Sequence, residues 1–363
     1  MTFGRCKLLL GIANVGCIVT LCAVLLVFRI PEKVFFGAPQ APLTELGQLA
    51  VVLCGYALVS LPFDMIGGLI LPIIYRKEPL TFFVWLSNLL RGVIVQTSGY
   101  ICCGILLLHT DRALGHGAAI VAFGCLQCAL LLLQALLATL VFPLRIKSGI
   151  DPIFSGQSRV GTGGIVGAPG FDKVLIPTFW RENFSPEVME LAVIRRNYVI
   201  KSGSRLRGIV CAFVWNLSGF TVAIYLSGGV GTVAGLVSTA MTFTLTSFVG
   251  LLLLPRLSQN AVIKCDSYLR RYRSTEDLDR YISAVATWQG DEEERSPLVE
   301  RIFYPIPAVA NRLPVKGKRS PKFDAWHAAR LTIFLSWAGM SFLPRAVHCN
   351  VGRPDVWVLL PCD

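Results

Sequence analysis

The chain has 363 residues, 54% of them hydrophobic and 15% charged, with a formal net charge of +12 and a mean hydropathy of +0.61. That balance excludes an ordinary soluble domain and describes a polytopic membrane protein in contact with the lipid bilayer, its excess Lys and Arg belonging to basic surfaces beside the membrane. It also argues against nucleic acid as a partner, since no basic stripe is interleaved with exposed aromatics.

Residues 7–28 form the first apolar run, long enough to cross a bilayer and without a small-residue cleavage site, so it reads as a signal anchor. Residues 46–75 form the second, interrupted by Pro62 and Pro72 and closed by the charged turn Arg76, Lys77, Glu78. The third and fourth are residues 80–108 and 117–144, joined through Asp111 and Arg112. The expected organisation is a four-helix transmembrane region at 1–144, a polar segment at 145–207, a transmembrane hairpin at 208–254, a second polar segment at 255–327, and a last apolar helix with its tail at 328–363. The apolar part of that last segment is short, and reads as a seventh span or an interfacial helix. Arg5, Lys7, Arg76, Lys77, Arg145 and Lys147 share one side in this arrangement, which places the N-terminus and both polar segments in the cytoplasm; Arg29 and Lys33 are a modest exception.

Most of the twelve Cys lie inside apolar runs, where they act as small hydrophobes. Cys125 and Cys128 form a CxxC with no second pair, which is weak evidence for zinc or redox chemistry. On the expected topology His109, His116 and His348 fall outside and His327 inside, so the four His of the chain cannot gather into one cytoplasmic metal site. His109, Asp111 and His116 could hold a metal on the outer face, but a solvated turn accounts for them. The run 156–163, GQSRVGTG, lacks the Lys-Ser/Thr of a phosphate loop and reads as a glycine-rich edge strand or loop. Lys316, Lys318, Arg319 and Lys322 form either a solvated linker or a contact with anionic headgroups.

Two charged residues inside apolar runs stand out, Asp64 and Arg91. They are equally far from the turn between Lys77 and Glu78, so two antiparallel helices would hold them at the same depth, as a buried ion pair or as part of a transport path.

The polar segments carry the most specific pattern. Residues 185–203, SPEVMELAVIRRNYVIKSG, open with Ser185 as N-cap, Pro186 at the first helical position and Glu187 and Glu190 in the first turn, and Met189, Ala192, Val193, Arg196 and Val199 recur at helical spacing. A glycine-rich, strand-like stretch at 160–177, VGTGGIVGAPGFDKVLIP, precedes them. After the hairpin comes LSQNAVIKCDSYLRR at 257–271, and then ERIFYPIPAVANRL at 300–313.

In this order, flanking a membrane hairpin, the three stretches resemble the integral-membrane zinc metalloproteases, the group of the CAAX prenyl proteases and the bacterial heat-shock membrane proteases. The resemblance implies an α-helical membrane bundle with a small cytoplasmic α+β domain. It lays the family's HExxH on Arg195, Arg196, Asn197, Tyr198 and Val199, the third-ligand Glu on Val262, the downstream Asp on Asp266, and the His-Pro segment with its Arg on Tyr304, Pro305 and Arg312. Two imidazoles at i and i+4 and a general-base Glu make that motif work. A guanidinium offers no lone pair, Arg196 cannot accept the proton, and Val199 and Val262 have no donor atom.

The resemblance therefore implies a fold without its chemistry: no metal, no other cofactor, no catalytic residue, and a catalytically inactive homologue that binds membrane-protein or peptide partners or scaffolds an assembly. The competing readings are a peptidase with a non-standard site and a transporter or channel using Asp64 and Arg91. In the family the Asp at the place of Asp266 orients a ligand His; here that His has become an arginine. This predicts that Arg195, or its neighbour Arg196, reaches Asp266 and stands in for the metal's charge, the alternative being that both arginines point to water.

Overall fold

A computed structural model describes residues 1–35, 41–77, 81–142, 146–147, 153–155, 161–312 and 323–359. The basic cluster Lys316, Lys318, Arg319 and Lys322 lies outside the described residues, as does Glu78. Among the described residues six helices are long and apolar enough to cross a membrane. The first four are α1 (Phe3–Val27), α2 (Pro42–Ile74), α3 (Phe82–Leu114) and α4 (His116–Val141). A four-stranded sheet follows, β1 (Ile146–Lys147), β2 (Ile153–Ser155), β3 (Gly164–Val166) and β4 (Lys173–Pro177), in the order β1-β2-β4-β3. β2 runs parallel to β4, and β3 lies antiparallel to β4 at the edge. Then come α5 (Pro186–Lys201) and the fifth span, α6 (Ser204–Leu226).

The sixth apolar helix continues past the bilayer, from Val233 to Tyr272, as α7 (Val233–Leu253) and α8 (Pro255–Tyr272). Its 40 residues reach roughly 60 Å, twice the hydrocarbon thickness, so polar α8 stands outside the membrane. The helices α9 (Thr275–Gln289), α10 (Pro297–Phe303) and α11 (Val309–Arg312) complete the polar domain. Two cores result: one inside the bundle, and one joining β3, β4, α5, α8 and α9 around Trp180, Val199, Val262 and Tyr281. The N-terminus packs on that polar domain, the Gly4 N–H donating to the Gly290 carbonyl at 3.1 Å. The chain is a multi-pass helical membrane protein whose N-terminus and both polar segments lie at one end of the bundle.

The last segment is neither a seventh span nor an interfacial helix. Its helix α12 (Ala328–Leu335) has 8 residues, too few to span. Beyond it the chain continues through a short 3-10 turn and irregular backbone to residue 359, and is almost wholly buried among the spanning helices. Irregular backbone survives at membrane depth only where protein satisfies its polar groups. Polar side chains of the spans do this. Asn216 Nδ2 donates to the Thr332 carbonyl at 3.0 Å, Tyr100 Oη to that of Ser341 at 2.6 Å, and Gln134 Nε2 to that of Val358 at 2.9 Å. Thr244 Oγ1 accepts the Phe342 N–H at 3.0 Å. The returning arm passes so close to α2 that a Cβ on Gly68 would lie 2.1 Å from the Gly352 carbonyl oxygen. Gly68→Ala is expected to cost about 1–3 kcal/mol, as overpacking does. Thermal unfolding in detergent checks this, with Gly55→Ala of the same helix, where a Cβ meets nothing within 4 Å, expected to be neutral.

This segment also corrects the expected pair of Asp64 and Arg91. Asp64 is fully buried and pairs with Arg345 of the returning arm, while its other oxygen accepts the Gly352 N–H at 2.8 Å. Arg91 is exposed on α3 and donates to the Thr139 and Leu140 carbonyls at 2.8 and 2.7 Å, where a cation suits the C-terminus of α4. Equal depth did not fix equal facing: α2 contains a π-helical turn at Ile66–Ile70 between Pro62 and Pro72, and each extra residue in such a turn rotates the helix face.

Candidate functional site

The site is assembled from β3, α5, α8 and α11. The helix α5 begins at Pro186 after an extended Ser185, as its sequence requires, and ends at Gly203 in the left-handed region. Ala192, Arg195, Arg196 and Val199 all face inward from it. α8 presents Val262, Cys265 and Asp266 to the same core. The two helices touch through the Arg195 carbonyl, which accepts from the Cys265 thiol at 3.7 Å.

Arg195 and Arg196 are both fully buried and diverge. Arg195 donates through Nη1 to Asp266 Oδ1, and its guanidinium lies 5.4 Å from the Trp326 ring. Arg312 reaches the same carboxylate from α11, with Nε 2.9 Å from Oδ2 and Nη2 3.2 Å from Oδ1. Asp266 is thus clamped between two guanidiniums, one of them bidentate. Arg196 turns the other way, donating through Nη2 to the Thr162 carbonyl beside the edge strand at 2.5 Å, with its guanidinium 5.5 Å from the Trp180 ring. On the outer side Tyr198 stacks on Tyr268 at 4.0 Å, tying α5 to α8.

Burial alone would raise the Asp266 pKa, but Arg195 and Arg312 outweigh it and hold the carboxyl below its ordinary value of 3.8. A second acid behaves alike. Asp324 is held low against burial by Lys264, Ser204 and Arg207, with Lys264 Nζ at 2.8 Å and Arg207 Nη2 at 2.7 Å. It anchors the start of the returning segment, where the Trp326 backbone passes against Gly208; a Cβ there would lie 2.0 Å from the Trp326 carbonyl oxygen.

Tyr304 and Pro305 do not join this cluster. Tyr304 is buried under the Arg295 guanidinium, 3.6 Å from its ring, and its ring lies 5.3 Å from that of His348. Burial pushes its phenol up to about 12 despite Arg295, so it stays protonated. His348 sits beside Tyr304 at the polar-domain end, and not with His109 and His116, because the last segment returns. At the far end the Asp111 carboxylate faces His116 Nδ1 at 2.5 Å and accepts the Val230 N–H at 2.7 Å, which makes that turn a structural closure.

Neither a protein-family model nor a curated protein sequence matches the chain. Solved structures that match it include the crystal structure of Ste24p from S. mikatae, superposing with a TM-score of 0.63 over 79% of this chain and 78% of that one, at 12% sequence identity. The chain has the Ste24p fold. The fold is that of the membrane zinc metalloproteases that the three motifs resemble. The donor chemistry for zinc is a separate matter. At the positions the resemblance assigns to ligands stand a guanidinium and two valines, Val199 and Val262, each 1% exposed in a packed apolar core. Among the described residues no three His, Cys, Asp or Glu side chains are grouped to hold a metal ion. These residues do not fit a zinc ion. Sequence reasoning missed Trp180 and Trp326, which lie beside the two arginines, and Arg345, the partner of Asp64. Asp64, charged inside an apolar run, signalled a buried cation partner, but equal depth pointed to Arg91 and not to Arg345.

Proposed function

We propose that the chain is a membrane pseudoprotease, a relative of the Ste24p-type enzymes that has given up metallopeptidase chemistry and acts in binding or scaffolding at the membrane, with its N-terminus and polar segments in the cytoplasm. The observation that carries this reading is the clamp Arg195–Asp266–Arg312. A cation that stays protonated stands where a neutral imidazole would be needed, and it satisfies the carboxylate that would otherwise orient that imidazole. Trp326 lies 5.4 Å from the Arg195 guanidinium, and Val199 and Val262 are buried in the apolar core beside it. The transport reading drew on Asp64 and Arg91 acting together, whereas Asp64 pairs with Arg345 and accepts the Gly352 N–H.

Elemental analysis of protein purified in detergent and dialysed against zinc is expected to find well under one zinc per chain, and phenanthroline-sensitive peptidase activity is expected to be absent. Restoring donors, Arg195→His with Val199→His and Val262→Glu, is expected to give a chain that retains zinc, because Asp266 is in place to orient the first imidazole. Stoichiometric zinc in the unmodified chain would overturn the reading.

A further inference from the structure

An apolar groove runs between α1 and α7 at membrane level, a cavity of about 220 Å³ lined by Leu8, Ile12 and Val15 from α1 and by Phe248, Leu251 and Leu252 from α7. These are lipid-facing helices, and Ile12 is 37% exposed at the groove. At its polar-domain end the groove meets Arg330 and His348, which also line a second cavity of about 100 Å³. That second cavity is lined further by Lys7, Arg353, Asp291 and Tyr304; Asp291 is bonded to Arg295 at 2.5 Å and Arg353 to Asp355 at 3.0 Å, so the excess positive charge of the cavity is that of Lys7 and Arg330. Lys7 lies in the first turns of α1, where the helix leaves the polar domain for the bilayer. Apolar groove and basic pocket are continuous, sharing Pro305, Arg330, His348 and Cys349.

The geometry points to a binding site for one anionic phospholipid, with an acyl chain in the groove between α1 and α7 and the phosphate at Lys7 and Arg330. A plain apolar groove would take any lipid tail. The net positive end is what selects: basic side chains at the membrane surface attract anionic headgroups and leave zwitterionic ones nearly unaffected. Tyr304, kept as its protonated phenol and facing the same pocket, is a neutral donor beside that phosphate. The site is independent of whether the chain has peptidase activity, since none of these residues belongs to the Arg195–Asp266–Arg312 clamp, and its test reads lipid retention alone.

The full chain, delipidated in neutral detergent and titrated with dioleoyl phosphatidylglycerol or dioleoyl phosphatidylcholine, is read by native mass spectrometry. One phosphatidylglycerol per chain is expected, with phosphatidylcholine bound at least tenfold more weakly. Lys7→Ala with Arg330→Ala is expected to weaken phosphatidylglycerol about thirtyfold, roughly fivefold for each cation, and to leave phosphatidylcholine unchanged. Ile12→Trp, at a bilayer-facing position that tolerates bulk, is expected to block the groove and abolish retention of phosphatidylglycerol whether or not the double variant folds. Equal binding of the two lipids, or unchanged retention in Ile12→Trp, would overturn the proposal. So would displacement of phosphatidylglycerol by glycerol phosphate at equal concentration, which would mark the pocket as a site for free phosphate.

Discussion

Asp266→Ala is expected to destabilise the polar domain by about 3–5 kcal/mol, the usual result of stripping one partner from a buried ion pair. Here the cost falls on two cations. Arg195 and Arg312 are both buried, converge on the same carboxylate, and would be left facing each other across an alanine. Thermal or denaturant unfolding in detergent, followed by Trp fluorescence, reads the loss, because Trp326 lies beside Arg195. Adding Arg195→Met to Asp266→Ala is expected to recover part of it by removing one orphaned charge. A single variant within about 1 kcal/mol of the parent would show that the clamp adds little, as exposed pairs do. The same carboxylate sets a pH dependence. Its folded pKa lies below the ordinary 3.8, so its contribution is complete above that value and is lost as the pH falls below it through the folded pKa. Asp324 acts in the same direction, so the polar domain is expected to loosen in acid below about pH 4, and Asp266→Asn is expected to flatten that acid limb.

Asp64→Ala is expected to cost a similar amount, about 3–5 kcal/mol, through the membrane bundle. It removes the partner of Arg345 and the acceptor of the Gly352 N–H at once, deep inside the protein about 15 Å from the end of α2. Asp64→Ala with Arg345→Ala is expected to be more stable than the worse single variant, since no unpaired charge remains. Arg345 lies 5.3 Å from the Tyr56 ring and 5.1 Å from the Trp357 ring, so its loss also removes packing and recovery stays partial. Arg91→Ala is the discriminating control. It gives up two hydrogen bonds at an exposed helix end and is expected to cost no more than about 1 kcal/mol. If Arg91→Ala instead matched Asp64→Ala, the assignment of Arg345 as the partner would fail.

These two acids mark how far local pattern reaches. Apolar runs long enough to span were legible because a bilayer leaves them one environment. The start of α5 was legible because Ser185 followed by Pro186 suits few conformations other than a helix entry. The three motif stretches, read in order around a hairpin, pointed to the fold that the Ste24p comparison places on the chain. The pairing of Arg195 with Asp266 was within reach because the resemblance set the two helices side by side.

The sequence by itself determined the membrane character, the spans, and the two helices that carry Arg195 and Asp266. It could not determine that Arg312 completes the clamp, that Arg196 turns to the Thr162 carbonyl, or that Asp64 belongs to Arg345. Those choices depend on helix rotation, which a π-helical turn shifts without altering the apolar count, and on contacts between residues far apart in the chain. The returning segment after residue 328 is the clearest case. Its own short turns satisfy part of its backbone, and Asn216, Tyr100, Gln134, Thr244 and Asp64 on other helices supply further hydrogen bonds that no local turn provides. No local periodicity records that dependence, so only the tertiary structure could decide where the last segment of the chain goes.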